Sequence, residues 1–329
     1  MITIGNIVDF LNAHNFLQHY SKAVLDIPIK RPASVHYAQP GEISFCGVTA
    51  KDPEKVVSQT LASLLIVDKN ISIDKAILSH SGVKAVILSD HARLDFIRVI
   101  ERFFAKKKPS GIHPSAVIEP SAIIGADVFI GPLCTIGEGV EIGVGTIIHA
   151  GVHIYDHVII GRNVIIHSGC VIGSDGFGFE RTHDNKIKKF SHLGSVIIED
   201  EVELQACCHV SRGTLGSTVV RKGTKCDSGC HIAHNVQIGH YCLVTAHTMI
   251  AGGVKIGDYV WIGASSAIMD RIAIGSNVTI GLGSVVTKDT PDDVTIMGSP
   301  ARDVSMQKQL LTHWTAVISE AQKSSKNVK

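Results

Sequence analysis

No run of 18 uncharged apolar residues occurs in the 329-residue chain, so the sequence offers no membrane-spanning helix. The start of the chain lacks the basic, apolar and small-residue succession of a secretory leader. Net charge is almost absent. With 31 Lys and Arg against 30 Asp and Glu, the formal charge is +1, which argues against bulk binding to nucleic acid or to a membrane surface. There is no G-x-x-x-x-G-K-[ST] phosphate loop and no G-x-S-x-G nucleophile elbow. These absences lead to the expectation of a soluble, cytoplasmic chain.

What is present is a period. Isoleucine recurs every six residues at Ile112, Ile118, Ile124, Ile130, Ile136, Ile142, Ile148, Ile154, Ile160, Ile166 and Ile172. Neither a helix nor an alternating strand has this spacing; it marks a repeat in which each hexapeptide is one flat side of a coil. Four residues after each isoleucine stands a small or β-branched residue, as at Ala116, Val128, Cys134, Thr146 and Val152, giving two inward positions per hexad. Glycine often follows the isoleucine (Gly125, Gly131, Gly137, Gly143, Gly161, Gly173), and is expected there for a corner with positive φ. Three hexads make one turn, so equivalent residues stack every 18 positions.

The register breaks after Ile172, resumes at Ile198, Leu204 and Val210, slips through Ser211–Val219, and then runs from Val220 to Val286. That makes about nine coils, roughly 40 Å of prism at the usual strand spacing. Of the eight cysteines, Cys134, Cys170, Cys208, Cys230 and Cys242 fall on small inward slots and Cys226 on an isoleucine slot. They read as buried hydrophobes in a reducing compartment rather than as disulfides.

Three parts follow. Residues 1–108 form a small α/β domain, with buried strands at Ser63–Asp68 and Ala85–Ser89 and a helical stripe of Leu94, Ile97, Ile100, Phe103 and Phe104. Residues 109–301 form the prism, interrupted by a protruding loop at 174–195. In 302–329, Leu310, Leu311, Trp314, Val317 and Ile318 make an amphipathic helix, read as a cap or an oligomer contact.

Eighteen histidines make any one of them weak as a signal. His149, His153, His167, His209 and His231 sit beside inward positions and read as packing. His234 falls on an outward turn, and one coil later the chain reads Ala251-Gly252-Gly253. An outward imidazole beside bare backbone leaves room for an elongated acyl carrier and offers an N–H to a reacting carbonyl. Cys226, Cys230, His231 and His234 have zinc-like spacing, but the cysteines point in and His234 points out, so no metal is expected. Phe177 and Phe179 alternate with glycines in the loop, either to cover an apolar chain or to pin the loop to the prism.

The hexads resemble those of the hexapeptide-repeat acyltransferases, which implies a left-handed parallel β-helix. Further motifs make the resemblance specific: Pro40-Gly-Glu-Ile-Ser-Phe45, Gly111-Ile-His-Pro-Ser-Ala-Val117, Asp175-Gly-Phe-Gly-Phe179, Arg212-Gly213, Lys225-Cys-Asp227 and Ile232-Ala-His-Asn235. Across nearly its whole length the chain resembles the UDP-3-O-(3-hydroxyacyl)glucosamine N-acyltransferase family of lipid A biosynthesis. The resemblance implies a homotrimer with sites between prisms, an acyl carrier protein thioester as donor, and a UDP-linked acylated glucosamine as acceptor. It implies His234 as general base, Gly252 as oxyanion donor, and Phe45 as a platform for the uracil ring of a uridine held by residues 1–108. Asn235 and Asp227 would be positioning groups, and Arg271 a substrate contact. A carrier-protein donor further implies a basic docking surface, for which Arg221, Lys222, Lys225 and Arg271 are available.

The chain departs from the family at Ser211 (usually Asp), at Asp270-Arg271 (often Gly-His), at Lys51 (a tyrosine) and at Asp90-His91 (Asn-Pro). The alternative is an acyl-coenzyme A-dependent transferase acting on another nucleotide-linked amino sugar for surface polysaccharide. A non-enzymatic scaffold is a third reading, disfavoured because threonine is too sporadic for a flat ice-binding face.

Overall fold

The computed structural model describes residues 1–12, 22–73, 78, 81–106 and 108–326, with side chains of the last helix described as far as residue 318. The chain divides into two compact units, Met1–Lys108 and Pro109–Lys329.

The first unit is built on a parallel sheet in the order Arg31–Pro32, Glu42–Cys46, Leu64–Asp68 and Ala85–Ser89. Glu42 explains much of the Pro40–Phe45 motif: its buried carboxylate accepts from Arg31 Nε at 2.6 Å and from the Gln39 N–H at 2.8 Å, closing the preceding turn. The expected stripe holds at Ile100, Phe103 and Phe104, which pack against the core, and fails on the preceding helix Ala92–Val99. It buries Ala92, Phe96 and Val99, while Leu94 and Ile97 are 43% and 41% exposed. Positions i, i+4 and i+7 form an equally regular face, and Phe96 fills the space beside Phe45, with ring centroids 5.0 Å apart.

The strands of the second unit start at Gly111 and are mostly two residues long, the first residue facing out and the second in. Strands stack into three sheets of 8, 11 and 9 strands, about nine turns, all parallel except the closing pair of Thr295–Gly298 with Ala301–Asp303. In regular stretches the partner lies 18 residues on, as Ile148 with Ile166 and Ile232 with Ile250. Isoleucines and the small inward residues form one continuous core. All six cysteines assigned to the interior are buried there, and burial lifts the thiols of Cys134, Cys226 and Cys242.

Most of the glycines after the isoleucines do not serve the expected positive-φ corner. Of the six that follow an isoleucine, only Gly173 has positive φ. Positive φ falls two residues further on, at Gly139, Gly145 and Gly151 and also at Leu133, Asn163 and Asn235. What excludes a side chain next to the isoleucine is the following rung: a Cβ on Gly143 would lie 2.6 Å from the carbonyl carbon of Gly161.

Two interruptions break the period. Ile160 pairs with Ile198, so the first inserts 20 residues beyond the usual 18; Ile198 pairs with Val220, so the second inserts four. The first is a loop carrying a hairpin of Phe179–Arg181 with Ile187–Lys189. The second holds the base of the first. Leu193 N–H donates to Thr214 O, and Arg212 clamps the carbonyls of Gly173 and Asp156 at 2.6 and 3.0 Å. The last helix, Val304–Lys326, leaves Leu311, Trp314, Val317 and Ile318 exposed, so its apolar stripe does not cap this chain's own rungs. No helix among the described residues is long and apolar enough to cross a membrane.

Candidate active site

Strand His231–Ile232 lies between His209–Val210 and Met249–Ile250. Their first residues face out, so His209, His231 and Met249 form a column on one face, with the imidazoles of His209 and His231 stacked at 4.9 Å. The chain turns off this face at His234-Asn235, where Asn235 takes φ +62. The loop folds back over the same corner. Asp175, Gly176, Phe177 and Phe179 of the loop, together with His209, Ser211, His231, His234, Met249 and Gly252 of the prism, enclose a cavity of about 470 Å³.

His234 lies directly on Gly252, one rung away: a Cβ there would meet Cε1 and Nε2 of the imidazole at 2.7 Å. Its Nδ1 is 3.1 Å from Asn235 Oδ1. That oxygen also accepts the Thr214 backbone N–H at 3.0 Å, which identifies it as the carbonyl end of the amide. Nδ1 must therefore carry the proton, leaving the Nε2 lone pair at the bare face of Gly252. Elsewhere in the prism the N–H at the position of Gly252 is taken by a carboxylate one rung on: Glu138 by Asp156 at 2.9 Å and His240 by Asp258 at 2.7 Å. Asp270 stands one rung beyond Gly252, yet among the described residues the Gly252 N–H has no acceptor. The corner therefore presents one lone pair and one free donor, the pair of groups that acyl transfer to an amine requires.

The two histidines of the column are held neutral. Burial, and next the neighbouring His231, push His209 below the ordinary imidazole range; burial does the same to His231. Asp175 is held below the usual carboxylate range chiefly by its hydrogen bond from Lys189. Phe177 and Phe179 meet edge to face at 4.9 Å, and Phe177 is 87% exposed, so these rings roof the cavity more than they pin the loop.

The other sequence-chosen residues do not line this cavity. Asp227 follows the strand Lys225–Cys226 at a different corner, where its carboxylate accepts the Ser228 N–H at 2.7 Å. Arg271 is 89% exposed; its backbone N–H donates to Gly252 O at 3.0 Å, so it borders the site without lining the cavity. Arg221 and Lys222 pair with Glu199 and Glu201 at 3.4 and 3.2 Å, Lys225 Nζ donates to Glu201 O, and Arg271 Nε stands 3.8 Å from Asp270 Oδ2, so each of the four expected docking cations has an acceptor within the prism, with Arg271 the most exposed of them. Phe45 lies in the first unit between cavities of about 640 and 540 Å³. The larger opens where the parallel strands end, at Gly47, Asp68 and Asp90, the edge at which such sheets bind ligands. The exposed Leu94 and Ile97 line it.

Sequence reasoning missed His192, which is 4% exposed beneath the loop and packed edge to face on His234 at 5.3 Å. His209 and His231, read as packing, do stack on each other, and they also line the cavity. Among the described residues, no group of three or more His, Cys, Asp or Glu is placed to hold a metal.

Comparison with known proteins matches this architecture. The bacterial transferase hexapeptide (six repeats) model matches residues 139–174 and 253–288, and the hexapeptide repeat of succinyl-transferase model matches 121–156. A UDP-3-O-acylglucosamine N-acyltransferase of Coxiella burnetii is 36% identical over 246 residues, covering 69% of this chain and 68% of the relative. UDP-3-O-acylglucosamine N-acyltransferase 1 of Gloeobacter violaceus is 55% identical over 137 residues, covering 42% of this chain and 39% of its own. Among solved structures, UDP-N-acetylglucosamine acyltransferases of Bacteroides fragilis and Francisella novicida superpose with TM-scores of 0.54 and 0.53. They are 29% and 28% identical, cover 59% of this chain in each case, and are themselves covered to 73% and 69%. The prism is the left-handed parallel β-helix of this group. The chain belongs to the UDP-3-O-acylglucosamine N-acyltransferase family.

Proposed function

We propose that this chain transfers a 3-hydroxyacyl group from an acyl carrier protein thioester to the amine of a UDP-linked acylated glucosamine, in lipid A biosynthesis. The observation that carries the reading is the His234–Gly252 corner: an oriented imidazole lone pair against an unpaired backbone N–H, under an aromatic roof. The amine nitrogen attacks the thioester carbonyl carbon. His234 Nε2 removes the amine proton, and the Gly252 N–H stabilises the negative oxygen of the tetrahedral intermediate. The C–S bond then breaks, the amide forms, and the proton on His234 passes to the departing sulfur. Asn235 holds the imidazole in the working tautomer. Phe177 and Phe179 shield the acyl chain and exclude water, and Arg271 offers a charge at the rim.

In this reading the first unit holds the nucleotide, with the base on Phe45 over the edge of the sheet. Asp227 has no role within one chain's corner; a homotrimer, with sites between prisms, would bring it to a neighbour's site. The exposed stripe of Leu311, Trp314, Val317 and Ile318 supports such an assembly. The coenzyme A reading gains one observation: Arg221, Lys222 and Lys225 are already engaged within the prism, which leaves a small basic surface for an acidic carrier. A thioester-release assay with a mass-identified product separates the two. The 3-hydroxyacyl carrier protein should yield an N-acylated UDP-sugar faster than the matching coenzyme A thioester at equal concentration. A faster coenzyme A reaction would replace the donor; no amide with either would remove the function.

A further inference from the structure

His192 lies behind His234 and is used by none of the steps above. It enters from the descending arm of the loop, where Phe190 N–H pairs with Gly178 O at 2.9 Å and brings residues 190–192 under 176–178. The imidazole is 4% exposed, and its Nδ1 is 3.1 Å from the Phe190 carbonyl, so Nδ1 carries the proton. Nε2 is then a lone pair, buried and without a partner. Only glycines fit over this pair of rings. A Cβ on Gly176 would come within 2.8 Å of His234 Cβ and 2.9 Å of His192 Nε2, and one on Gly178 within 2.7 Å of His192 Cε1.

A buried acceptor left bare is costly, and a leucine or phenylalanine would fill the same space without that cost. What imidazole adds at this position is the ability to titrate beside the base. We propose that His192 is a positioning residue for His234: a neutral imidazole that braces the base and supports its transient positive charge, and whose own protonation shuts the site. The inference rests on His234 being the base.

The physical reason lies in the pair. When His234 takes the amine proton, a neutral ring packed against it tolerates the new charge, whereas an imidazolium there repels it. Burial, and after it the proximity of His234, push His192 below the ordinary imidazole range. Of the other charges facing it, Asp175 favours its protonation and Lys189 opposes it, and these two are paired with each other across the loop. Arg212, on the second interruption, spends its guanidinium on the carbonyls of Gly173 and Asp156. His192 is therefore neutral in the working range and gains a proton only in acid.

The test is the acid limb of kcat/KM for wild type, His192→Gln and His192→Phe. Each variant fills the site without titrating there. The wild type should lose one more proton's worth of activity, about an extra tenfold per pH unit at the acid end. The variants should show a shallower limb and a kcat lowered roughly 3- to 10-fold at the alkaline optimum, with KM little changed. A limb of the same steepness in all three overturns the inference, as does a uniform loss across pH. Should neither variant fold, imidazole hydrogen exchange in the wild type and in His234→Gln reads the same coupling. His192 should titrate below the usual imidazole value and move up when His234 is replaced; an ordinary, unmoved titration overturns it. Full activity in His234→Ala would remove the underlying mechanism instead. An inactive His234→Ala with an unaltered limb in His192→Gln removes this inference alone.

Discussion

At the scale of single residues, the site depends on what Gly252 does not have. A methyl group there would stand 2.7 Å from His234 Cε1 and Nε2, so the ring must rotate away from Asn235 or the corner must open. Gly252→Ala is expected to lower kcat by about 10²-fold, the scale of losing a general base or an oxyanion donor, while the folded protein survives. Steady-state kinetics beside a thermal melt checks this; near-normal kcat would show that the ring is not held where the geometry puts it. Asn235→Ala should cost roughly tenfold or more in kcat at unchanged KM, because Nδ1 loses the acceptor that selects the tautomer. Asn235→Asp keeps an acceptor and should recover part of the loss.

His234 and Gly252 were legible in the sequence because an 18-residue period converts a difference in number into a contact. His192 was not. It lies on a loop with no period, and only the folded hairpin brings residue 192 to residue 234.

At the scale of elements, the four extra residues of the second interruption exist to hold the twenty of the first. Gly194 is where they touch: a Cβ there would run into the carbonyl oxygens of Gly216 and Gly213, backbone against backbone. Gly194→Ala must displace the loop base and, with it, Phe177, Phe179 and His192. The expected result is a KM for the acyl donor raised roughly tenfold or more, with the prism intact by circular dichroism; an unchanged KM would mean that the loop does not contact the donor. The rungs themselves were plain from the isoleucine spacing, and so were the positions of both interruptions. The use of glycine was not, because the 2.6 Å approach of Gly143 to the next rung is a contact between backbones and leaves the same mark in sequence as a positive φ. The helix Ala92–Val99 was misread for a related reason: two apolar faces compete on it, and the packing of Phe96 on Phe45 decides between them. The face left over, Leu94 and Ile97, lines a cavity.

At the scale of the whole molecule, several imidazoles are kept neutral by burial: His149, His192, His209 and His231 are all held below their ordinary value. An unfolded chain takes up protons on these groups as pH falls through about 6.5, while the folded chain resists until lower pH. Their contribution to stability is therefore complete above that value and is lost as pH falls through the window below it. The midpoint of thermal unfolding should drop between pH 7 and pH 5, before carboxylates such as Glu42, whose value is lowered chiefly by its Arg31 hydrogen bond, begin to titrate. A flat midpoint across that interval would contradict the burial of these rings. The proposed assembly has its own reading: light scattering should give three times the 35.2 kDa of one chain.

The central claim is that a single outward imidazole, set against bare backbone one rung away, performs the transfer. The most direct measurement is turnover of His234→Ala with the 3-hydroxyacyl carrier protein and the UDP-linked amine, at the native oligomeric mass. The account expects a fall of about 10²-fold or more. A variant that turns over at the wild-type rate would contradict it.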